Sequence, residues 1–287
     1  MATDSIRPAA VAGTWYPGTA AALARDVDRY VNAAAFDPPR GRVEAIIAPH
    51  AGLMFSGPVG AYAYRAAAAN APYDAAVLIG PSHFVAFDGV ALDPACAFDS
   101  PLGPAPIDRV LAGQIAQASA VVHTMAEAHR REHSLEMQLP FLRRLLPDVP
   151  IVPLLMGYQT RETILAIADV LAEMAADRRV LLVASTDLSH YFDSDTAEEL
   201  DGRVEACVRA ADPEALLEIF ERYPEGERGR FVACGGGPAI AVMMAARRRG
   251  ARHGRVLKYM HSGEVSGDHS GVVGYLAGAL GTFTDVH

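Results

Sequence analysis

Four stretches of the chain are almost continuously apolar: Val43–Pro49, Ala75–Gly80, Ile151–Gly157 and Val180–Ser185. Each is short and gives way to Gly, Pro or polar residues, as strands buried on both faces of a sheet do. Between them the apolar spacing becomes helical. Leu23, Val27, Tyr30, Val31 and Ala34 fall on one face of a helix that Thr19 can cap. Ile164, Ile167, Val170, Leu171 and Met174 mark a second helix. Leu135, Leu139, Leu142 and Leu146 mark a third, which Pro140 is expected to kink or shorten. Further helices are predicted over Asp195–Ala211, Pro213–Arg222 and Pro238–Arg249, and late strands over Arg255–His261 and Gly271–Gly281. Strands alternating with helices predict an α/β fold, read as one domain over residues 1–287 with a largely parallel central sheet flanked by helices. Leu92–Pro106, rich in Pro, and Tyr223–Arg230, rich in charge and Gly, read as surface loops rather than linkers.

Composition narrows the class. The 287 residues are 51% hydrophobic and 21% charged, enough to bury a large core and too apolar for a disordered chain. No apolar run approaches the ~18 residues of a membrane span. The N-terminus lacks a basic start followed by an apolar stretch, so no signal peptide is expected. A formal net charge of −9 argues against a nucleic-acid partner. Lys258 is the only lysine; every other basic residue is Arg. Cys96, Cys207 and Cys234 are odd in number and far apart, which argues against a disulfide framework and for a reducing, cytoplasmic setting. Cys96 and Cys207 read as structural.

In a parallel sheet, ligands bind beyond the carboxyl ends of the strands. His50, His83 and His190 each follow a buried strand, in Ala48-Pro-His-Ala-Gly52, Gly80-Pro-Ser-His83 and Ser185-Thr-Asp-Leu-Ser-His190. One His at a strand end is ordinarily a hydrogen-bonded surface residue; three such placements converge on one edge. Cys234, in Cys234-Gly-Gly-Gly-Pro238, precedes a helix and reads as a small buried hydrophobe, as part of an anion nest, or as a ligand. His and Cys together suit iron, copper or zinc, and two His with one anionic ligand leave coordination positions open. Asp187 stands three residues before His190, where it can orient or charge that general acid/base, or cap a helix. His133 and Glu136 are three apart, which suits a metal pair or a capping arrangement around Ser134. His261, Glu264, Asp268 and His269 lie in a Gly- and Ser-rich stretch that reads chiefly as an exposed loop, with a second metal site as the alternative. Trp15, beside Tyr16 outside any periodic segment, lines a pocket or anchors the core.

These motifs resemble the Memo family, whose bacterial and archaeal members are called AmmeMemoRadiSam system protein B. The resemblance is carried by Ala12-Gly-Thr-Trp-Tyr-Pro17, Ile47-Ala-Pro-His-Ala-Gly52, Gly80-Pro-Ser-His83, Glu132-His-Ser-Leu-Glu-Met137, Ser185-Thr-Asp-Leu-Ser-His190, Cys234-Gly235 and Tyr275-Leu-Ala-Gly-Ala-Leu280. The family is similar to the class III extradiol dioxygenases, which open catechol rings with a non-heme Fe(II). The resemblance implies that fold, with His50 and His83 as ligands and Cys234 where the dioxygenases use a carboxylate. It implies His190 as acid/base beside Asp187, and Trp15 near the pocket. Phe55 stands where eukaryotic members often carry an aromatic hydroxyl, so that proton donor is absent here. The expected cofactor is one transition metal ion, Fe(II) or Cu, with Zn as a further candidate. The function expected is metal-dependent oxidation of a small substrate. The rivals are a non-catalytic ligand- or peptide-binding module using the same pocket, and a Zn hydrolase. The family name further implies AMMECR1-like and radical SAM partner proteins.

Overall fold

The computed structural model describes residues 4–174 and 178–284. Its strands are β1 (Ile6–Arg7), β2 (Gly41–Ala48), β3 (Ala75–Pro81), β4 (Val90–Leu92), β5 (Ala97–Phe98), β6 (Ala105–Pro106), β7 (Val122–Thr124), β8 (Ile151–Met156), β9 (Val180–Ser185), β10 (His190–Phe192), β11 (His253–His261) and β12 (Val272–Phe283). The helices are α1 (Ala20–Ala33), α2 (Leu53–Ala68), α3 (Arg109–Ala118), α4 (Ala126–His129), α5 (Leu139–Leu145), α6 (Arg161–Glu173), α7 (Ser194–Ala210), α8 (Pro213–Glu221), α9 (Glu225–Phe231), α10 (Gly236–Arg248) and α11 (Gly263–Ser266). The four continuous apolar runs of the sequence form β2, β3, β8 and β9, and every residue of β3, β8 and β9 is buried.

Nine strands make the main sheet, in the order β10-β12-β2-β9-β3-β8-β4-β7, with β11 paired to β12. The sheet is mixed, which corrects the expectation of a largely parallel one. β2, β9, β3 and β8 run parallel at its centre, while β4, β10, β11 and β12 add antiparallel pairings. The late strands reverse because the short connection of residues 262–271 permits a hairpin, where parallel strands need a long crossover. Among the described residues β11 pairs with β12 alone and so forms an edge of the sheet. Helices α1, α2 and α5 cover one face, and α6, α7, α8 and α10 the other. One contiguous hydrophobic core runs through both layers. No single helix among the described residues is long and apolar enough to cross a membrane.

Two segments depart from their sequence reading. Leu92–Pro106 is not a surface loop: it carries β5 and β6, and Leu92, Ala97, Phe98 and Ala105 are buried. Its strands pair with β1 to hold the N-terminal segment down. Most of Tyr223–Arg230 lies in α9, begun after Pro224, which serves as N-cap. Pro140 does not kink a helix; it stands in the first turn of α5, where its missing N–H costs nothing.

The N-terminal segment is clamped by a buried ion pair. Arg7 bonds to the carboxylate of Glu136 and to the carbonyls of His129 and Glu132. Glu136 also accepts the amides of Ala10 at 2.7 Å and Val11 at 3.0 Å and the hydroxyl of Tyr16 at 2.7 Å. Burial, with Glu136 beside it, pushes the Tyr16 hydroxyl pKa far up, so this bond keeps its proton. The clamp delivers the next aromatic, Trp15, to the edge of the sheet described below. Removing one partner of a buried pair strands the other charge, at a cost of about 3–5 kcal/mol. Glu136→Ala is therefore expected to lower unfolding stability by about that amount in urea titrations and to open residues 8–18 to protease cleavage. A loss below about 1 kcal/mol would show that the clamp does not hold the segment.

Candidate metal centre

Three strand ends meet above the parallel centre of the sheet. Ala48 of β2 pairs with Ser185 of β9, and β9 in turn pairs with β3. The chain leaves these strands as Pro49-His50, Thr186-Asp187 and Ser82-His83. A fourth element, the start of α10, is drawn onto the same edge. A Cβ on Gly235 would lie 2.4 Å from the Ser185 carbonyl oxygen and 3.1 Å from Pro81, so only glycine allows this approach. The Gly235 amide donates to Thr186 Oγ1 at 2.9 Å, and Gln159 Nε2 donates to the Cys234 carbonyl at 2.7 Å. His50, His83 and Cys234 thereby bring one donor atom each to within 4.8 Å of one another. Cys234 Sγ lies 3.3 Å from His50 Nε2 and accepts the Asp187 amide at 3.3 Å.

Both imidazoles are oriented from behind. Ser185 Oγ donates to the Ser134 carbonyl at 2.6 Å and accepts Gln138 Nε2 at 2.8 Å. With its proton so committed, Ser185 Oγ is the acceptor for His50 Nδ1–H at 2.9 Å, which leaves the Nε2 lone pair of His50 facing Cys234. Glu132 does the same for His83: its carboxylate accepts His83 Nδ1–H at 2.9 Å and the His83 amide at 2.6 Å. Burial disfavours the Glu132 anion, but His83 outweighs it and holds the pKa down to about 2. Burial likewise opposes a charged His83, yet the Cys234 sulfur and Glu132 push its pKa up to about 10. Cys234 is pushed up by burial and pulled down further by His50 and His83, to about 6. The metal-free pair at neutral pH is thus a thiolate beside an imidazolium. Two imidazoles with their Nδ1 protons placed, and one thiolate, form a donor set that fits a borderline or soft transition metal.

A sequence model of the family described as Memo-like protein matches residues 7–279. The chain belongs to the Memo family. A MEMO1 family protein of Methanopyrus kandleri is 39% identical over 237 residues, or 81% of each chain. One of Methanothermobacter thermautotrophicus is 35% identical over 280 residues, covering 94% of this chain and 98% of that one. An uncharacterized Escherichia coli K12 protein of solved structure is similar in fold. Its TM-score is 0.59, over 84% of this chain and 100% of its own, at 16% identity.

In this Memo-family protein Asp187 and His133 touch the three donors, and the other residues singled out from the sequence lie elsewhere on nearby segments. His190 opens β10, and its Nδ1 donates to the Leu188 carbonyl at 2.7 Å, which fixes the ring's orientation. The next residue, Tyr191, is exposed and held at φ 65°, a left-handed conformation that non-glycine residues seldom adopt. Asp187 starts no helix. Its carboxylate accepts the amides of His50 at 2.7 Å and Ala51 at 3.3 Å, and so ties the first strand end to the second. Burial pushes its pKa up, while the charges of His190 and His83 oppose that shift. Asp187 therefore bears on His190 through charge, and the Leu188 carbonyl sets the ring's orientation. His133 stacks on His83 with ring centroids 4.5 Å apart, and on its other side Trp15 lies at 4.2 Å. Burial and the two neighbouring imidazoles push the His133 pKa down to about 3, so it is a neutral wall of the site. Phe55 lies in the first turn of α2, half-buried against the core. His133 and Glu136 do not act as a pair, because the chain is not helical until Glu136, whose carboxylate turns to Arg7. Sequence reasoning left out Glu132, Ser185 and Gln138. Glu132 lies inside a motif it quoted, but 49 residues separate it from His83.

Two outcomes follow for metal affinity. A bound metal must displace the His83 proton, so affinity measured against a competing chelator should rise about tenfold per pH unit between pH ~6 and ~10. Below pH ~6 the Cys234 proton competes as well and the slope steepens; a flat profile would exclude His83 as a ligand. Glu132→Gln keeps the shape but weakens the orienting acceptor, and should cost about 10–100-fold in affinity.

Proposed function

We propose that this chain is a non-heme metal-dependent oxidoreductase that uses O2 on a small hydroxylated substrate, with a site of the class III extradiol dioxygenase kind. The observation that carries the reading is the cluster of His50, His83 and Cys234, which bring one donor atom each to within 4.8 Å of one another, with a third imidazole, His190, on the segment that follows Asp187 and oriented by the Leu188 carbonyl. His50, His83 and Cys234 would hold one transition metal ion, Fe(II) or Cu. When bound, such an ion supplies adjacent positions for substrate and O2 and the redox change between them.

The chain's own residues do the rest. Ser185 and Glu132 hold the two imidazoles in the ligating tautomer. His190 Nε2 accepts the substrate hydroxyl proton, with the ring held by the Leu188 carbonyl. Trp15 and His133 shield one side of the cluster from water. The thiolate donates more charge than the carboxylate of an ordinary facial triad and so favours softer or more oxidised ions.

The test is anaerobic reconstitution with Fe(II) or Cu, followed by O2 uptake with a panel of small phenols and catechols. Wild type is expected to hold one metal per chain and His50→Ala almost none. His190→Ala should retain the metal and lose about 10²–10⁴-fold in substrate-stimulated uptake. Equal metal content in wild type and His50→Ala removes the site. Metal binding with saturable ligand titration but background O2 uptake would favour a binding module instead.

A further inference from the structure

A wall of aromatic rings stands beside His83. His133 stacks on the His83 ring at 4.5 Å, Trp15 lies 4.2 Å from His133 at an interplanar angle of 49°, and Phe84 meets His133 edge-on at 5.9 Å. His133 is buried, but Trp15 is 38% and Phe84 49% exposed. A large ring exposed singly is ordinary. Two that contact one buried ring beside a metal ligand form a patch, and such patches mark binding sites. The patch ends in a cation. The Arg131 guanidinium lies over the Phe84 ring, 5.0 Å from its centroid. Arg131 is exposed and has no ion pair among the described residues. The acidic groups nearest in sequence are committed elsewhere: Glu132 to the amide and Nδ1 of His83, and Glu127 to Arg130 at 2.7 Å.

We infer that the substrate is a hydroxylated aromatic ring bearing a carboxylate, with its ring against Trp15 and Phe84 and its carboxylate on the Arg131 guanidinium. The inference rests on the reading of the metal centre proposed above and names the substrate class of that same site. A flat ring is the occupant that matches ring surfaces presented to solvent, because offset and edge contacts between π-systems add to the apolar area they bury. A guanidinium offers two parallel N–H donors, which fit the two oxygens of a carboxylate. The cation–π contact with Phe84 engages the guanidinium without consuming those donors. One guanidinium balances the single charge of a carboxylate. A doubly charged phosphate asks for a second cation, and the adjacent Arg130 is already paired. Trp15 and Phe84 thus select for a flat ring and Arg131 for its charge.

Trp15 is the only tryptophan of the chain, so its fluorescence reports directly on a ligand at the wall. The probes are 3-(3,4-dihydroxyphenyl)propionate and 4-propylcatechol, which share ring and arm and differ in the carboxylate. Each is titrated anaerobically onto the full chain, Fe(II)-loaded and metal-free, with quenching corrected for probe absorbance; no turnover is needed. The carboxylate probe is expected to bind about tenfold or more tighter than its neutral counterpart. Arg131→Gln, at an exposed position, should bring the two probes to the same affinity, and Arg131→Lys should restore part of the difference. Phe84→Ala should weaken both. O2 uptake is then measured on the same samples. Background uptake with the charge preference intact counts against the reaction and supports the binding inference. Equal affinities in wild type, or a preference that survives Arg131→Gln, overturns the inference whatever the uptake.

Discussion

The position of β9 between β2 and β3 is the constraint on which the centre depends. Parallel ladders on both sides of β9 hold three strands in fixed register, so the residues just past their ends leave from one line. A slip of one residue would turn every strand side chain to the opposite face. His50 and His83 would then approach from different depths, and Asp187 could not reach the His50 amide from the middle strand. Because β9 is buried along its whole length, such a slip would force both close-packed faces to repack at once. Hydrophobic burial therefore fixes the geometry of the polar edge above it.

Beneath the donors lies a polar network in which each member satisfies the next. Tyr64 donates to Gln138, Gln138 to Ser185 and to the Pro49 carbonyl, and Ser185 to the Ser134 carbonyl. Ser134 closes the loop through the Pro81 carbonyl at the end of β3. Glu132 and Glu136 stand on either side of this segment, one turned to His83 and the other to Arg7. A single stretch, residues 132–138, thus supports both imidazoles and anchors the N-terminal segment. Buried networks of this kind rigidify a site when their groups are paired and are costly when one partner is missing.

Much of this was legible in the sequence. The unbroken apolar runs identified the four central strands, and the residues following them identified His50 and His83. The periodic helices α1, α6, α7, α8 and α10 appear within a few residues of their expected bounds. The helix α2 was not legible: Leu53–Ala68 is buried on most sides, contains Gly57, Pro58 and Gly60, and so lacks an amphipathic stripe. Its glycines serve close contacts, since a Cβ on Gly57 would meet the Tyr30 ring at 2.6 Å. The orienting groups were hidden for another reason. Ser185 and Glu132 matter through partners distant in sequence, and spacing along the chain carries no sign of them.

The edge strand β11 has a consequence for assembly. Its outward row of amides and carbonyls is a template for a strand from another molecule, and Val256, Leu257, Tyr259 and Met260 along it are only partly covered. Lys258, the chain's sole ε-amine, stands in the middle of that row, where a hydrated ammonium resists being stacked against a neighbour. Acylating that one nitrogen would strip the guard from the strand.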